Sequence, residues 1–435
     1  MSLPRGRHFA VTWGIPDNFG GMTAALLHRS RAFVRAGTPV DILTFDVRDD
    51  YDEVRADLRA RGELIDGMRL LNLWEWLRTT EVAPGRPRHT PMPGRLQRNH
   101  HRADGTLAVS DRRDVRVLGE PGGRSIVLRD AAGQPIRSFG RAWALYRWWL
   151  DELTEGERSF FIVDSKTSAN FMMTYRRPKA VVVHVVHNSH LDPRTNELRA
   201  SRRRAFENLD AFDTVVLLSL SQRRDLAPRK NLTVIPNSRE LPRPAEGPRA
   251  GAIVLASLTT RKRVDHAIRA ALRVGVPLDV YGEGELRPAL EQLGSAGLVT
   301  FHGHVVGARD RLSTASAILL TADSEGFPLA LVESMAAGCI PIAYDVRYGP
   351  ADVIRDRVNG YLVPPGDETA LAAALTEFLA LPPGAQQRMR AAARHAAARF
   401  SDRAVTPLWS RQLRRAARRS RRRRVARASR RFWHR

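Results

Sequence analysis

The stretch Thr321-Ala-Asp-Ser-Glu-Gly-Phe-Pro-Leu-Ala-Leu-Val-Glu333 decides the fold. The apolar run before it, 316–320, reads as a buried strand, and Pro328 is a natural first residue for the helix that follows. Strand, loop and helix in that order are half of a βαβ unit. The loop then carries backbone N–H groups and the positive end of a helix past the strand's carboxyl end. Such a place attracts anions, a phosphate or diphosphate above all. Glu325 stands just before the helix and Glu333 in its second turn. At about 1.5 Å of rise per residue, both can face one ligand about 10 Å long. Taken alone, the same carboxylates also read as a helix-end acid and a solvated helix residue.

Working outward, strand and helix signals keep alternating. Downstream of 250, strands are expected at 252–256, 278–281, 298–301, 316–320, 340–343 and 360–363. Helices are expected at 262–273, 285–293, 308–314, 328–337, 350–355, 367–380 and 384–399, and from about 402. Upstream, strands at 8–13, 40–45, 160–163, 180–186, 214–218 and 232–235 alternate with helices at 22–36, 141–153 and about 194–208. This is an α/β chain of two doubly wound domains on parallel sheets. Between them, 238–249 (SRELPRPAEGPR) reads as a Pro-rich linker and hinge. The expected organisation is an N-terminal domain over 1–240, a C-terminal domain over 250–400, and a closing helix with an Arg-rich tail over 401–435. Ligands of such domains bind in a cleft beyond the carboxyl ends of the strands.

Two stretches break the alternation. Residues 80 to about 105, rich in Pro, Gly, Arg and His, read as a loop. From 107 to 139, short polar–apolar alternations are separated by the turn signals Glu120-Pro-Gly-Gly123 and Ala131-Ala-Gly-Gln134. They predict antiparallel hairpins, a β-rich insertion at about 105–140 of the N-terminal domain.

Composition narrows the function classes. The chain has 435 residues, 43% hydrophobic and 27% charged, enough for sizeable cores without staples. A lone Cys339 excludes a disulfide framework or a Cys-rich metal site and fits a reducing cytosol. No run of 18 apolar residues is present to span a membrane, and the first residues are too weakly apolar for a signal peptide. The net charge is +24, yet only four basic residues are Lys (166, 179, 230 and 262). An Arg excess of that kind, with abundant Ala and Gly, looks like GC-rich coding, so not every Arg needs a partner. Residues 411–435 are different, with 13 Arg and no acid. They predict an anionic partner, a membrane face or a polyanion, with Phe432 and Trp433 as an interfacial end. Such charge repulsion also leaves the tail disordered when free. Nucleic acid is a further anion, but no base-reading module appears. H-E-x-x-H, the Walker loop and G-x-S-x-G are all absent. Asp50-Tyr-Asp52 is a formal D-x-D lying in a run of surface acids, and no metal is expected there.

The run 321–333 continues as Ser334-Met-Ala-Ala-Gly-Cys-Ile-Pro-Ile-Ala-Tyr-Asp345, then Tyr348-Gly-Pro350 and Asn359-Gly-Tyr-Leu-Val-Pro-Pro-Gly-Asp367. The whole stretch resembles the GT-B-fold retaining glycosyltransferases of family four. It is most similar to the branch with the poly(glycerol-phosphate) α-glucosyltransferases, strongly at 252–367 and more loosely at 8–46 and 159–237. The resemblance implies a sugar transferred from a nucleotide-diphosphate donor, by family default a UDP-sugar such as UDP-glucose. The acceptor is the hydroxyl of a cell-surface polymer or glycan, such as a polyol-phosphate teichoic acid. Anomeric configuration is retained, and neither metal nor cofactor is needed.

The resemblance also assigns residues. Glu325 lies beside the donor sugar, Glu333 on the ribose hydroxyls, and Lys262 on the diphosphate. Gly326, Phe327 and Leu329 supply backbone to sugar and diphosphate. Gly20 and Gly21 form a glycine loop of the N-terminal domain. His187 is near the reacting sugar, with His190 the second candidate. Tyr281-Gly-Glu-Gly284 matches a segment on the nucleotide side, and equally reads as a plain turn. One position departs from the pattern: an Arg expected five residues before Lys262 is Ser257, with Arg261 or Arg263 as possible substitutes. The alternative reading is therefore a catalytically impaired GT-B protein that binds polyanions or membranes. The expected location is cytoplasmic, peripheral to the inner face of the plasma membrane.

Overall fold

The computed structural model describes residues 2–85, 97–117, 120–193, 195–241, 247–295 and 297–432. The chain divides into two compact units. The first comprises Ser2–His184, Asn208–Asp213 and Leu413 onward. The second comprises Val185–Glu207 and Thr214–Gln412.

In the first unit, strands β1 (Arg7–Val11), β2 (Val40–Thr44) and β3 (Met68–Asn72) are joined by the helices Gly21–Arg35 and Tyr51–Ala60. A four-stranded antiparallel sheet follows: β4 (Gln97–His101), β5 (Leu107–Val117), β6 (Glu120–Arg129) and β7 (Pro135–Phe139), paired in that order. The helix Ala142–Thr154 then returns the chain to β8 (Ser159–Val163) and β9 (Ala180–Val186). The parallel sheet runs β9-β8-β1-β2-β3. Every residue of β8 and β9 is buried, as expected of parallel strands covered on both faces. Since β2 leaves β1 on one side and β8 joins it on the other, the order reverses between β1 and β8.

The second unit holds the parallel pair β10 (Thr214–Leu217) and β11 (Leu232–Val234). Its main sheet has six parallel strands: β12 (Ala250–Leu255), β13 (Leu278–Tyr281), β14 (Val299–Gly303), β15 (Ala315–Leu320), β16 (Ile340–Tyr344) and β17 (Tyr361–Val363). Their order is β14-β13-β12-β15-β16-β17, so the reversal falls between β12 and β15. Helices Val264–Val274, Leu329–Ala337, Glu368–Ala380 and Pro383–Ala398 cover it. The helix Leu329–Ala337 ends on Gly338 at φ 78°. Two arginines bond carbonyls at and near its carboxyl end. Arg249 bonds Ala337 O (2.6 Å), Leu312 O and Ala315 O, and Arg390 bonds Gly338 O (2.7 Å) and Ser316 O.

Both units are therefore α/β, with the β-rich insertion inside the first. Some readings need correction. β4 lies within the stretch taken as a loop over 80–105, whose residues 86–96 are outside those described. The helix Tyr51–Ala60, β3 and the short helix Leu73–Thr79 had no clear sequence signal, because Arg and Asp dilute their periodicity. The 308–314 helix is a 3₁₀ turn, Ala308–Ser313. Residues 242–246 of the linker are outside the described set.

The basic tail is not disordered. It is part of one helix, Asp402–Phe432. Val405, Trp409, Leu413, Ala416 and Ser420 form its buried face, while Arg411, Arg414, Arg415, Arg418 and Arg421 are exposed. Apolar burial at a three-to-four-residue spacing outweighs like-charge repulsion along the exposed stripe. Among the described residues, no helix is long and apolar enough to cross a membrane.

Candidate functional site

The second unit's order reversal creates the site. At such a reversal, the loops leaving adjacent strands turn away from each other and open a crevice at the carboxyl ends. The loop after β12 carries Ser257 to Lys262, and the loop after β15 carries Thr321 to Pro328. They are laced together: Thr321 Oγ1 donates to Lys262 O (3.1 Å) and Arg263 O (2.7 Å), and Asp323 N donates to Arg261 O (2.9 Å). Lys262 Nζ thereby reaches Glu325 Oε1 at 2.5 Å, with Glu325 only 9% exposed.

Of the two proposed substitutes for the missing arginine, Arg261 faces this pair. Its Nη1 donates to Ser324 O at 2.8 Å and lies 3.7 Å from Glu325 Oε1. The Arg263 guanidinium bonds Asp265 and His266 instead and lies 3.8 Å from Asp323 of the loop. Ser257 itself is exposed.

Gly326 is a steric necessity. A Cβ there would lie 1.8 Å from the carbonyl oxygen of His187 and 2.7 Å from Cα of Asn188. The loop before the helix Leu329–Ala337 is thus seated directly on the backbone following β9. His187 is buried. His190 is buried too, its ring stacked between Phe206 (centroids 4.9 Å) and Tyr348 (5.7 Å), with Gln222 Nε2 3.5 Å from Nδ1. Burial lowers its pKa to about 4. Phe327 and Leu329 are buried, Phe327 packing edge-on against Phe400 at 5.3 Å. Tyr281-Gly-Glu-Gly284 is more than a plain turn. A Cβ on Gly282 would meet Ala256 O at 1.8 Å, and one on Gly284 would meet Leu258 O at 2.3 Å. Those absent side chains let it press against the loop leading to Lys262.

Glu333 is not a solvated helix residue. Its side chain is 12% exposed, and Oε1 accepts from Arg239 Nε at 2.7 Å and Arg309 Nη1 at 3.2 Å. Sequence reading missed both arginines. Arg239 sat inside an apparent linker, yet it is buried and its N–H donates to Phe400 O. Tyr348 and Asp225 were missed as well. The Tyr348 hydroxyl donates to Asp225 at 2.8 Å, and its N–H donates to Glu325 O at 2.9 Å, steadying the loop from behind.

Gly20 and Gly21 belong to the first unit, where Gly20 caps the helix Gly21–Arg35 after β1. They stand at that unit's own reversal, between β1 and β8. Nothing lies within 4 Å of a Cβ on Gly20. Across the same reversal Arg29 makes a bidentate pair with Asp164, at 2.8 and 2.7 Å. The D-x-D acids are engaged locally, Asp50 by Arg48 and Asp52 by Arg55. Among the described residues no acid, His or Cys cluster has the makings of a metal site.

Comparison with known proteins adds the family. Residues 243–396 match the family described as glycosyl transferases group 1. The poly(ribitol-phosphate) α-N-acetylglucosaminyltransferase of Staphylococcus aureus is 23% identical over 438 aligned positions, covering 82% of this chain and 89% of its own. The poly(glycerol-phosphate) α-glucosyltransferase of Bacillus subtilis is 22% identical over 50% of this chain and 36% of its own. Among solved structures, S. aureus TarM crystallised with fondaparinux, α-GlcNAc-glycerol and UDP superimposes with a TM-score of 0.77. It is 19% identical, over 94% of this chain and all of that one.

Proposed function

With residues 243–396 forming a glycosyl transferases group 1 domain in a chain of GT-B fold, we propose that this protein transfers a sugar from a UDP-sugar to a hydroxyl of a polyol-phosphate polymer of the teichoic-acid type, with retention of anomeric configuration. The observation that carries the reading is the charge arrangement at the β12–β15 reversal. Lys262 and Arg261 converge on Glu325 at the N-terminal end of the helix Leu329–Ala337. Two cations and a helix N-terminus are what a departing diphosphate needs as negative charge develops on it. Arg261 takes the place left by Ser257, which weighs against the impaired, merely binding alternative. The UDP bound to TarM and the polymers named for the two relatives support the donor and acceptor classes.

In this reading Lys262 and Arg261 hold the diphosphate, so it leaves without a metal's help. Glu325 accepts a donor-sugar hydroxyl. Gly326, Phe327 and Leu329 present backbone to sugar and phosphate. His187 positions the sugar, and His190, locked between two rings, supports that segment. Arg239 and Arg309 orient Glu333, whose other oxygen accepts from the ribose hydroxyls. Gly20 and Gly21 let backbone approach the donor. No carboxylate is placed as a nucleophile. The acceptor hydroxyl attacks from the leaving-group face and passes its proton to the departing phosphate.

The test is a screen for UDP release from UDP-glucose and UDP-N-acetylglucosamine, with and without poly(ribitol phosphate) or poly(glycerol phosphate). Polymer-stimulated release with an α-linked product is expected. No release with any pair, from folded protein, ends the proposal.

The exposed arginine stripe on the final helix supports a cytoplasmic enzyme held peripherally on an anionic membrane face. Replacing the exposed Arg411, Arg414, Arg415, Arg418 and Arg421 by Gln leaves the buried residues Val405, Trp409, Leu413, Ala416 and Ser420 in place. The variant is expected to co-sediment less with phosphatidylglycerol vesicles at low salt. Equal binding by variant and wild type removes the stripe from that role.

A further inference from the structure

Next to Arg261 the second unit contains an open cleft of about 490 Å³, lined by Asp192, Arg199, Ser201, Thr260, Arg261 and Ser324 among others. That volume is in the range of small-ligand sites. One wall is Asp192, Pro193 and Arg199 with the start of the helix Ala200–Glu207. The other is the pair of loops after β12 and β15. The walls have a fixed base, since Gly326 sits against the His187 carbonyl and leaves no room for a Cβ. The hairpin from His190 to Arg199 is held by a Leu191–Leu198 bridge, by Arg199 N to His190 O (3.0 Å), and by Arg347 donating to Asn196 at 2.8 Å.

The charges in and around this cleft are unequally satisfied. Asp192 accepts from the Thr195 N–H within its own turn, and Asp323 faces Arg263 at 3.8 Å. The Arg199 side chain bonds only the Leu191 carbonyl, at 3.0 Å, among the described residues. Arg202, three residues after Arg199 and within the helix Ala200–Glu207, is half-buried and pairs with no carboxylate among the described residues. Its neighbours include Arg199 and the His190 ring, and burial together with Arg199 lowers its pKa to about 10. Half-buried guanidinium groups without a counter-ion are poised for a planar or tetrahedral oxyanion.

We propose that Arg199 and Arg202 form a phosphate subsite for the acceptor, holding a phosphodiester of the polymer next to the hydroxyl that receives the sugar. This rests on the glycosyl-transfer reading and adds to it what the polymer's charge is for. A phosphodiester on the acceptor and the diphosphate of the donor share one chemistry, and Arg261 stands on the donor side of the cleft. Arg199, which lines the opposite wall, and Arg202, three residues further on, are the acceptor's.

The probe is a glycerol-phosphate trimer, with glycerol as the uncharged control. In the full-length chain, the double variant Arg199→Gln/Arg202→Gln is expected to raise the acceptor KM for the trimer about tenfold, the size of one or two charge-assisted hydrogen bonds. The KM for the UDP-sugar should move less than twofold, and use of glycerol should not change. Arg203→Gln, exposed on the same helix, should match wild type. Arg199→Lys/Arg202→Lys should recover part of the loss. Calorimetric binding of the trimer to the UDP-loaded chain gives the same comparison without turnover, so an absence of transfer activity ends the functional reading and not this one. Trimer binding equal in the double variant and wild type overturns the subsite. A rise in donor KM matching that in acceptor KM does so too, by giving the arginines to the donor diphosphate.

Discussion

The two order reversals, β1/β8 in the first unit and β12/β15 in the second, come from the same parallel-sheet topology and are finished in opposite ways. At β1/β8 the charge is sealed. Asp164, with its side chain at 0% exposure, is gripped by both Nη atoms of Arg29, and the glycine at the helix start has open space around it. At β12/β15 the charge is left reachable. Lys262 and Arg261 meet Glu325 at the edge of a cleft, and the glycine is wedged against backbone. Topology supplies a crevice in both cases. The difference lies in the exposed cation: the Arg29–Asp164 pair is sealed, whereas Arg261 beside the Lys262–Glu325 pair has a side chain 44% exposed.

Four experiments bear on that contrast, from the largest expected effect to the smallest. Gly326→Ala should lower transfer by about 10²-fold or more, because a Cβ 1.8 Å from a carbonyl oxygen must displace the loop, and a shift of about 1 Å is enough for such a loss. Steady-state turnover measures it, and near-normal activity would mean the loop's seat is not the active geometry.

Next comes a crossed pair. Arg29→Met removes the bidentate cation from a buried carboxylate and should cost about 3–5 kcal/mol of stability. Lys262→Met should cost about 1 kcal/mol of stability, since Arg261 remains 3.7 Å from Glu325, while lowering turnover by about 10²–10³-fold. Denaturant melts alongside kinetics separate the two. If Lys262→Met is the more destabilising, the pair at β12/β15 is structural after all.

The third concerns acid. His100 in the first unit is stacked on Trp74 at 4.6 Å, and His190 in the second lies between its two rings. Burial brings both to about pKa 4. The unfolded chain therefore binds more protons below about pH 6.5. Stability is complete above that pH and falls as pH drops towards 4, by up to about 3 kcal/mol for each histidine. His190→Phe should flatten that dependence for the second unit and leave the first unit's untouched, as followed by thermal melts between pH 4 and 7.

The smallest effect tests the substitution of one arginine by another. Arg261→Ala should lower turnover about tenfold, and Ser257→Arg placed on that variant should restore part of it, as one charge-assisted contact replaces another. If Ser257→Arg raises turnover equally with and without Arg261, the two positions do not serve the same anion.

Much of this contrast was legible in the sequence, for a physical reason. Between 316 and 333, burial, a strand end, Pro328 and a glycine coincide, and each is a local signal, so the loop, its helix and Glu325 could be located within a residue. Long-range partners leave no such trace. Arg239 reads as linker until it is seen on Glu333. Arg261 and Arg263 are indistinguishable by spacing, and the left-handed turn at Arg263, φ 47°, sends them in different directions. The arginine-rich helices were misjudged because a few apolar residues at helical spacing are buried among exposed charges. Residues 51–60 and 411–421 look wholly polar on paper yet bury Tyr51, Val54 and Leu58, and Leu413 and Ala416.

The two arginines on the carboxyl end of Leu329–Ala337 have an evolutionary consequence. Arg249 and Arg390 each bond two or more main-chain carbonyls from one planar group. A lysine ammonium has a different span and would leave some of those carbonyls without a donor. A coding bias that drifts lysine towards arginine costs little on the surface and is free to drift back. At 249 and 390 the return step is harder: a lysine there would leave some of these carbonyls, Ala337 at the helix end among them, without a donor.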